Sequence, residues 1–386
     1  MPDKHAKLSP SAAARWINCP GSIRLSEKVP PPPSSDYADE GTLAHAVAET
    51  KLLRETRILT ARIYNDRIKK AQASEYWSGE MDEATELYAD TVLEHLAGAG
   101  DDATLMVEQL LNLDEWAPGS FGTSDAVIIG GDTIEVIDLK YGKGVRVDAE
   151  DNPQLRLYAL GAAGLFGDLY DFKNVKTTII QPRLSHVSSE ELPLEELRAW
   201  GEQVVRPAAK AAAAGTGQTA CGNWCRWCPA KAVCRTRAEA NLELAKMDFR
   251  KPEILSAEEI GEVLRKADEL QRWAADVQDY ALKQAMDGEH IDGWKLVEGR
   301  SVRKYADDLK VAEVLQAAGY AEAMLYERKL NGLTAMEKLV GKKKLAELLG
   351  DLIIKPAGKP VLVPEDDRRE PIASANSARE DFADGN

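Results

Sequence analysis

The sequence has little cysteine and few aromatic residues, with five cysteines and 6% aromatic side chains among 386 residues. In a cytoplasmic chain of this length, so few thiols are better interpreted as metal ligands, nucleophiles or core residues than as a disulfide framework. No apolar run approaches the length of a membrane span, and residues 1–10 lack the apolar stretch of a signal peptide. We therefore expect a soluble, cytoplasmic protein with no membrane partner.

Positive charge is also scarce, since 49 Lys and Arg residues stand against 64 Asp and Glu residues and leave a net charge of -15. This balance argues against a protein coated in basic charge for nonspecific binding of nucleic acid, although it leaves room for a local basic groove. Hydrophobic residues make up 44% of the chain and charged residues 29%, which is enough for a sizeable core and argues against global disorder.

Hydrophobic periodicity and capping signals predict an α/β protein with a mixed sheet. The expected order is a short helix from Ser9-Pro10, helices over 42–70 and 81–96, strands over 105–113, 125–129 and 133–140, a helix from Asn152-Pro153 to 165, a strand over 175–181, and helices over 194–214 and 256–287. We divide the chain into an N-terminal segment (1–36), an α/β core (37–215), a cysteine segment (216–240), a helical C-terminal region (241–355) and a loosely held tail (356–386).

The second and third predicted strands carry two carboxylates and a lysine. If Gly131-Asp132 forms a two-residue type II′ loop, Asp125 lies directly opposite Asp138, and Lys140 projects from the same face. If the loop begins one residue earlier, the pair is looser but stays on one face. Two carboxylates at that distance repel each other unless a proton or a cation lies between them. A single Asp-x-Lys is typical of a solvated hairpin, whereas two opposed carboxylates beside a lysine indicate a catalytic site.

This arrangement suits metal-dependent hydrolysis of phosphodiesters. Carboxylate oxygens bind Mg²⁺ or Mn²⁺ and leave coordinated waters in place, and the metal polarises the phosphate and lowers the pKa of a bound water. Lys140 is suited to orienting that water or stabilising negative charge on the phosphate. His45 lies in a predicted helix, where a histidine is usually a packing residue but is also a good Mn²⁺ ligand. Gln154 and Tyr158 share one face of the next helix.

At these residues the sequence resembles the PD-(D/E)XK nucleases of the RecB-exonuclease type. The motifs are His45, Gly122-x-x-Asp125, Asp138-x-Lys140 and Gln154-x-x-x-Tyr158. The resemblance implies a restriction-endonuclease-like αβββαβ core with a mixed central sheet flanked by helices. It also implies the site roles: metal ligands His45, Asp125 and Asp138 with the Leu139 carbonyl, a catalytic Lys140, and site-shaping Gln154 and Tyr158. Almost the whole chain resembles a phage and prophage family of this class, although its second acid is Asp138 rather than the more common Glu.

The cysteines form a second candidate site, because Cys225, Cys228 and Cys234 follow a C-x₂-C-x₅-C spacing. Three thiolates this close favour zinc or an iron–sulfur cluster. The fourth ligand is either the nearby Cys221, which is typical of a zinc knot, or the distant Cys19. A remote first cysteine with a C-terminal trio resembles the iron–sulfur staple of CRISPR-associated adaptation nucleases and of helicase-nuclease partners. We favour Cys19 and a 4Fe–4S cluster with a structural role.

The leading functional hypothesis is a Mg²⁺- or Mn²⁺-dependent deoxyribonuclease, most simply an exonuclease, acting in phage recombination or replication. The expected partners are DNA single strands or ends and a phage recombination or single-strand-binding protein. The alternatives are a non-catalytic DNA-binding or recombination-partner protein that keeps the nuclease fold, and a zinc-stabilised interaction protein with no role on nucleic acid.

Overall fold

The computed structural model of the chain describes residues 6–31, 35–245 and 257–294, together with the isolated positions 310, 316, 341, 344 and 349. The chain divides into two compact units, Met1–Asp287 and Gly288–Asn386. The sheet and both candidate sites lie in the first unit. The tail predicted over 356–386 lies outside the described residues.

The centre of the first unit is a five-stranded mixed sheet, so the structure is α/β as expected. The strands are β1 (Thr104–Asn112), β2 (Phe121–Gly130), β3 (Thr133–Leu139), β4 (Asn174–Gln181) and β5 (His186–Pro193). They lie in sequence order across the sheet, and each neighbouring pair is antiparallel except β3 and β4, which are parallel. The sequence analysis predicted the first four of these strands and missed β5.

Helices cover both faces of the sheet. The described α-helices are α1 (Ala13–Asn18), α2 (Gly21–Ser26), α3 (Asp36–Glu55), α4 (Ala61–Gln72), α5 (Gly79–Gly98), α6 (Pro153–Phe166), α7 (Leu194–Trp200), α8 (Arg206–Ala213), α9 (Arg235–Ala245) and α10 (Ala257–Met286). Apolar side chains of α3 and α5 pack on one face, and those of α6, α7, α8 and the N-terminal segment pack on the other. None of the described helices is both long and apolar enough to cross a membrane.

The hairpin between β2 and β3 has the predicted register. Val127 pairs with Val136 and Ala126 with Ile137, which leaves Gly131 and Asp132 as the two-residue loop. Gly131 has a φ of +58°, the left-handed conformation that the first central position of a type II′ turn requires and that glycine adopts without strain. The local sequence therefore determines which strand positions face each other across this pair.

Two of the predicted helices are interrupted. The helix predicted over 42–70 is divided into α3 and α4, because Arg57 adopts a left-handed conformation with a φ of +60° and the Thr60 hydroxyl caps α4 by accepting from the Ile63 N–H. The helix predicted over 194–214 contains a π-helical turn, Gly201–Val205, between α7 and α8. By contrast, α6 begins as predicted, with Asn152 as its N-cap and Pro153 at its first position.

The N-terminal segment is part of the core. Leu8 and Trp16 are fully buried on the α6 face of the sheet. The Gly21 N–H donates to the Gln218 carbonyl at 2.9 Å, and a Cβ at position 21 would lie 2.7 Å from the Gly217 carbonyl oxygen. Glycine is therefore required where the start of the chain meets the segment that follows α8.

The helix α10 is joined to the cysteine segment by a buried arginine. The guanidinium of Arg237, in α9, is 1% exposed and pairs with Glu269 at 2.7 Å and Asp276 at 2.6 Å, both on α10. Lys231 also pairs with Asp276 at 2.6 Å. A buried cation needs such partners, since leaving it unpaired costs several kcal/mol, about 3–5 on removal of a partner.

Candidate metal centre

The candidate metal centre lies where the pairing of β2 with β3 ends, beside the helices α3 and α6. Asp125 immediately precedes the last antiparallel pair of the hairpin and therefore stands opposite Asp138. Its Oδ2 accepts a hydrogen bond from the Leu139 N–H at 2.7 Å, and its Oδ1 lies 3.0 Å from Nδ1 of His45. The structure thus brings together His45, Asp125 and Leu139, which the sequence places far apart.

Lys140 is held by two partners on the same side of the hairpin. Its Nζ lies 2.8 Å from Oδ2 of Asp138 and donates to Oε1 of Gln154 at 2.9 Å. The amide of Gln154 closes the triangle by donating to Oδ1 of Asp138 at 2.8 Å. Tyr158, one turn further along α6, is buried, and it hydrogen-bonds Gln154. Gln154 therefore orients both the lysine and one carboxylate.

Glu108 on β1 is a member of the site that the sequence analysis missed. Val107 pairs with Ala126 and Gln109 with Ser124, so Glu108 stands opposite Asp125. One oxygen of each carboxylate and a ring nitrogen of His45 all lie within 4.8 Å of one another. Three acidic residues, on β1, β2 and β3, therefore form a row across the sheet.

The backbone at Glu108 explains how a strand residue reaches the site. Its φ is +52°, a left-handed conformation that is uncommon for a residue other than glycine. Met106 and Leu111 contact the same core cluster although their positions differ by five, an odd number, which an uninterrupted alternation of faces does not allow. The alternation of side chains between the two faces of the strand is therefore shifted by one residue at Glu108. The only sequence signal for this residue is a carboxylate inside the apolar run 105–111.

Burial and neighbouring charges shift the pKa of several groups of the site. Burial lowers the pKa of His45, but the carboxylates of Asp125 and Asp138 outweigh it and raise that pKa to about 9. Burial, followed by repulsion from Asp125 and Glu49, raises the pKa of Glu108 to about 7. Burial also raises the pKa of Asp138 against the attraction of Lys140. Without a metal, the site thus compensates for its carboxylates by binding protons.

The cysteines occupy a separate region. Cys19, Cys225 and Cys228 are buried, and Cys221 and Cys234 are partly exposed. The Ala220 N–H donates to Sγ of Cys19 at 3.3 Å, and the Gly222 N–H donates to Sγ of Cys225 at 3.5 Å. The N-terminal segment therefore contacts the cysteine segment through Sγ of Cys19.

Cys221 differs from the buried thiols in its electrostatic surroundings. Burial, together with the neighbouring Cys225, raises the pKa of Cys221 to about 11. Burial also raises the pKa of Cys228, but a backbone hydrogen bond at Ala230 opposes the rise. The Cys221 thiol hydrogen-bonds that of Cys225, so these two sulfur atoms lie side by side.

A comparison with protein-family models decides the family. The model described as a protein of unknown function, DUF2800, matches residues 5–370. The chain belongs to the DUF2800 family. This DUF2800 chain is also similar to a solved structure titled "Crystal structure of SSO0001", with 16% identity over 56% of this chain and 95% of the other. The TM-score is 0.22, and we draw no conclusion from a likeness at that level.

The residues of the DUF2800 site fit a hard divalent cation. His45, Glu108, Asp125 and Leu139 line a small recess together with Tyr88. The Tyr88 hydroxyl is buried and has no hydrogen-bond partner among the described residues, whereas both oxygens of Asp138 have one, in Lys140 and Gln154. Carboxylate oxygens and one imidazole nitrogen are ligands that Mn²⁺ and Mg²⁺ accept. We conclude that the donor set suits a metal.

Proposed function

We propose that this DUF2800 protein is a metal-dependent DNA nuclease with a PD-(D/E)XK core, most simply an exonuclease acting in phage recombination or replication. The observation that carries the proposal is the row of Glu108, Asp125 and Asp138 across three strands, with Lys140 beside it. Three neighbouring carboxylates repel one another, and the site offsets them with His45, Lys140 and a raised pKa at Glu108. A divalent cation would take the place of the protons on His45 and Glu108.

In this proposal His45, Glu108, Asp125 and Asp138, with the Leu139 carbonyl, would hold Mg²⁺ or Mn²⁺. The bound cation would supply polarisation of the phosphate and a water of lowered pKa. Because His45 has a pKa of about 9, the ligands release protons as they bind metal, and binding should strengthen with rising pH. Asp125 is oriented by the Leu139 N–H, which binds Oδ2 and leaves Oδ1 beside Nδ1 of His45.

Lys140 acts as a fixed cation rather than as a base. Burial lowers its pKa, but the adjacent Asp138 outweighs burial and raises it, so the amine stays protonated. An ammonium held by Asp138 and Gln154 can stabilise the negative charge that develops on a phosphate during hydrolysis, with little reorganisation. The Gln154 amide hydrogen-bonds both the Lys140 ammonium and the Asp138 carboxylate and so fixes their relative position.

For the cysteine segment we propose a structural 4Fe–4S cluster held by Cys19, Cys225, Cys228 and Cys234. A tetrahedral zinc site, with Zn–S near 2.3 Å, requires sulfur atoms about 3.8 Å apart. All five thiols are described, and no three of them lie within 4.8 Å of one another, since the described set that meets this limit is His45, Glu108 and Asp125. A cluster separates its thiolates more widely, because iron and sulfide fill the centre.

The test of the nuclease proposal is cleavage of end-labelled linear and circular DNA by anaerobically purified protein with Mg²⁺ or Mn²⁺. We expect cleavage that EDTA abolishes and that Asp125→Asn and Asp138→Asn each reduce by several orders of magnitude, with the fold kept. The matched control is Asp168→Asn, an exposed carboxylate just beyond the C-terminus of α6, which should cleave like the wild type. Undiminished cleavage by the double variant refutes the proposal, and DNA binding without cleavage favours the non-catalytic alternative.

A further inference from the structure

Two acid-free stretches of this acidic chain meet at the cysteine segment. About one residue in six of the whole chain is Asp or Glu, yet residues 4–26 and 203–238 contain none, and together they carry ten Lys or Arg. The two stretches are in contact, since the Gly21 N–H donates to the Gln218 carbonyl and the Ala220 N–H donates to Sγ of Cys19. Positive charge is therefore concentrated in one part of a chain whose net charge is -15.

Carboxylates from outside the two stretches neutralise only some of these cations. Two carboxylates of α10 pair with Arg237 and Lys231, and two others pair with Arg206. The cations of the two stretches that have no ion pair in the described part of the chain are Arg15, Arg24, Lys210, Arg226 and Arg235. Arg226 lies between two of the cysteines and is exposed, so it is available to an anion.

The 3₁₀ turn Asn223–Trp227 presents this arginine and a tryptophan to solvent. Cys225, within the turn, and Cys228, directly after it, are buried and anchor it on both sides of the Arg-Trp pair. The indole of Trp227 is 72% exposed, and the Arg226 guanidinium lies over it, 5.1 Å from the ring centroid. A cation–π contact of this kind holds the guanidinium against one face of the ring. The other face is open to a ligand.

The other tryptophan of the turn has a packing role that Trp227 lacks. The Trp224 indole N–H donates to the Ala220 carbonyl at 3.0 Å, and a Cβ at position 222 would lie 2.5 Å from its ring, so only glycine fits beside it. Among the described residues, the indole N–H of Trp227 has no hydrogen-bond partner. A large aromatic ring left in water contributes nothing to the core, and tryptophan and arginine are the residues most enriched at binding hot spots.

We propose that the turn Asn223–Trp227 binds a single strand of nucleic acid, with a base stacked on the free face of Trp227 and a neighbouring phosphate paired with Arg226. Aromatic rings beside cations bind single strands in this way, because every unpaired base has a face that can stack. A duplex hides its base faces and would use only the cation. This inference rests on the proposed nuclease function for the identity of the ligand, but it can be tested without cleavage.

The experiment measures binding of a fluorescein-labelled 20-nucleotide oligo(dT) to the full chain by anisotropy in EDTA, where no metal-dependent cleavage occurs. The test variants are Trp227→Leu, which removes the ring, Trp227→Phe, which keeps one, and Arg226→Gln. The controls are Trp294→Leu, at a tryptophan that is 77% exposed outside the cysteine segment, and Arg62→Gln, at an exposed arginine on α4. Circular dichroism melting checks that each variant is folded.

We expect Trp227→Leu to weaken binding about fivefold or more, whereas Trp227→Phe should keep most of the affinity because it keeps a stacking ring. Arg226→Gln should lower the slope of log K against log salt by about 0.7, the contribution of one phosphate contact to a single strand. Both controls should match the wild type. Binding of a 20-base-pair duplex should depend on Arg226 and not on Trp227.

Each outcome decides between the surface and the nuclease. Wild-type affinity in Trp227→Leu, or an equal loss in Trp294→Leu, overturns the proposed surface, and metal-dependent cleavage, if it is retained, keeps the nuclease proposal. Duplex binding that depends equally on Trp227 overturns the single strand as the ligand. Binding lost in Trp227→Leu and kept in Trp227→Phe, in a protein that cleaves nothing, supports the surface and rejects the nuclease. A wild type that does not bind oligo(dT) overturns the surface.

Discussion

Replacement of Glu108 by glutamine should change stability in opposite directions with and without a divalent metal. The pKa of Glu108 rises from its ordinary value of 4.5 to about 7, chiefly because of burial and repulsion from Asp125 and Glu49. That rise corresponds to at most about 3.4 kcal/mol of destabilisation by the ionised carboxylate. Because the side chain is only partly buried, solvent screening reduces the figure, and we expect about 1–2 kcal/mol.

The sign follows from the protons that each state binds. Folded Glu108 keeps its proton to a higher pH than unfolded Glu108, so stability falls as the pH rises from about 4.5 through about 7. At pH 8 the penalty is complete, and glutamine does not incur it. Glu108→Gln should therefore be more stable than the wild type in EDTA at pH 8, and the difference should shrink towards pH 5.

Divalent metal should reverse this order of stability, so that the wild type becomes more stable than the variant. A ligand at 100 times its dissociation constant stabilises the folded state by about 2.7 kcal/mol, and the variant has lost one anionic ligand. Urea unfolding of the wild type and the variant at pH 5 and pH 8, with EDTA or with Mn²⁺, gives the free energy of unfolding of each protein under the four conditions. The control is Glu94→Gln, an exposed glutamate on α5 that should change none of them. Destabilisation of the Glu108 variant in EDTA at pH 8, or equal stabilisation of both proteins by Mn²⁺, refutes the reasoning.

Three further predictions concern other parts of the molecule. Lys140→Met should lower DNA cleavage strongly and leave the stabilisation by Mn²⁺ in place; a lost metal response would make the lysine structural. Cys19→Ser should lose iron, measured with sulfide on anaerobic protein, whereas Cys221→Ser should be nearly silent; the reverse result indicates a local four-cysteine site. Gly21→Ala should cost about 1–3 kcal/mol of unfolding free energy, because a Cβ would meet a backbone carbonyl at 2.7 Å. Its control, Gly41→Ala in an open part of α3, should gain about 0.5–1 kcal/mol.

The parts of the site that the sequence predicted are those that local chemistry determines. The Gly131-Asp132 loop fixes the register of β2 and β3, and so the opposition of Asp125 and Asp138. Asn152 and Pro153 fix the start of α6, which places Gln154 beside the hairpin. In each case two or three neighbouring residues are sufficient to predict the local structure, because turn and cap geometry depend on short-range sterics and hydrogen bonds.

The parts that the sequence did not predict depend on contacts between distant segments. The connection from β1 to β2 spans residues 113–120, and no turn of that length fixes the register of the two strands. The position of Glu108 opposite Asp125 therefore could not be predicted from the sequence. The strand β5 is an edge strand whose mostly polar sequence gives little hydrophobic signal. The break between α3 and α4 escapes detection because apolar residues continue at helical spacing on both sides of Arg57.

The burial of Leu8 and Trp16, and the contact of Cys19 with Ala220, also affect how the protein is synthesised. The two atoms of that contact belong to residues 201 positions apart. At a translation rate of 5–20 residues per second, the N-terminal segment waits about 10–40 s on the ribosome before its partner exists. During that interval a large indole and a thiol are exposed to chaperones and oxidants. We expect protease to cleave the segment in ribosome-bound chains arrested before residue 220 and to spare it in chains that display α10; equal cleavage in both would show that the segment docks without its partner.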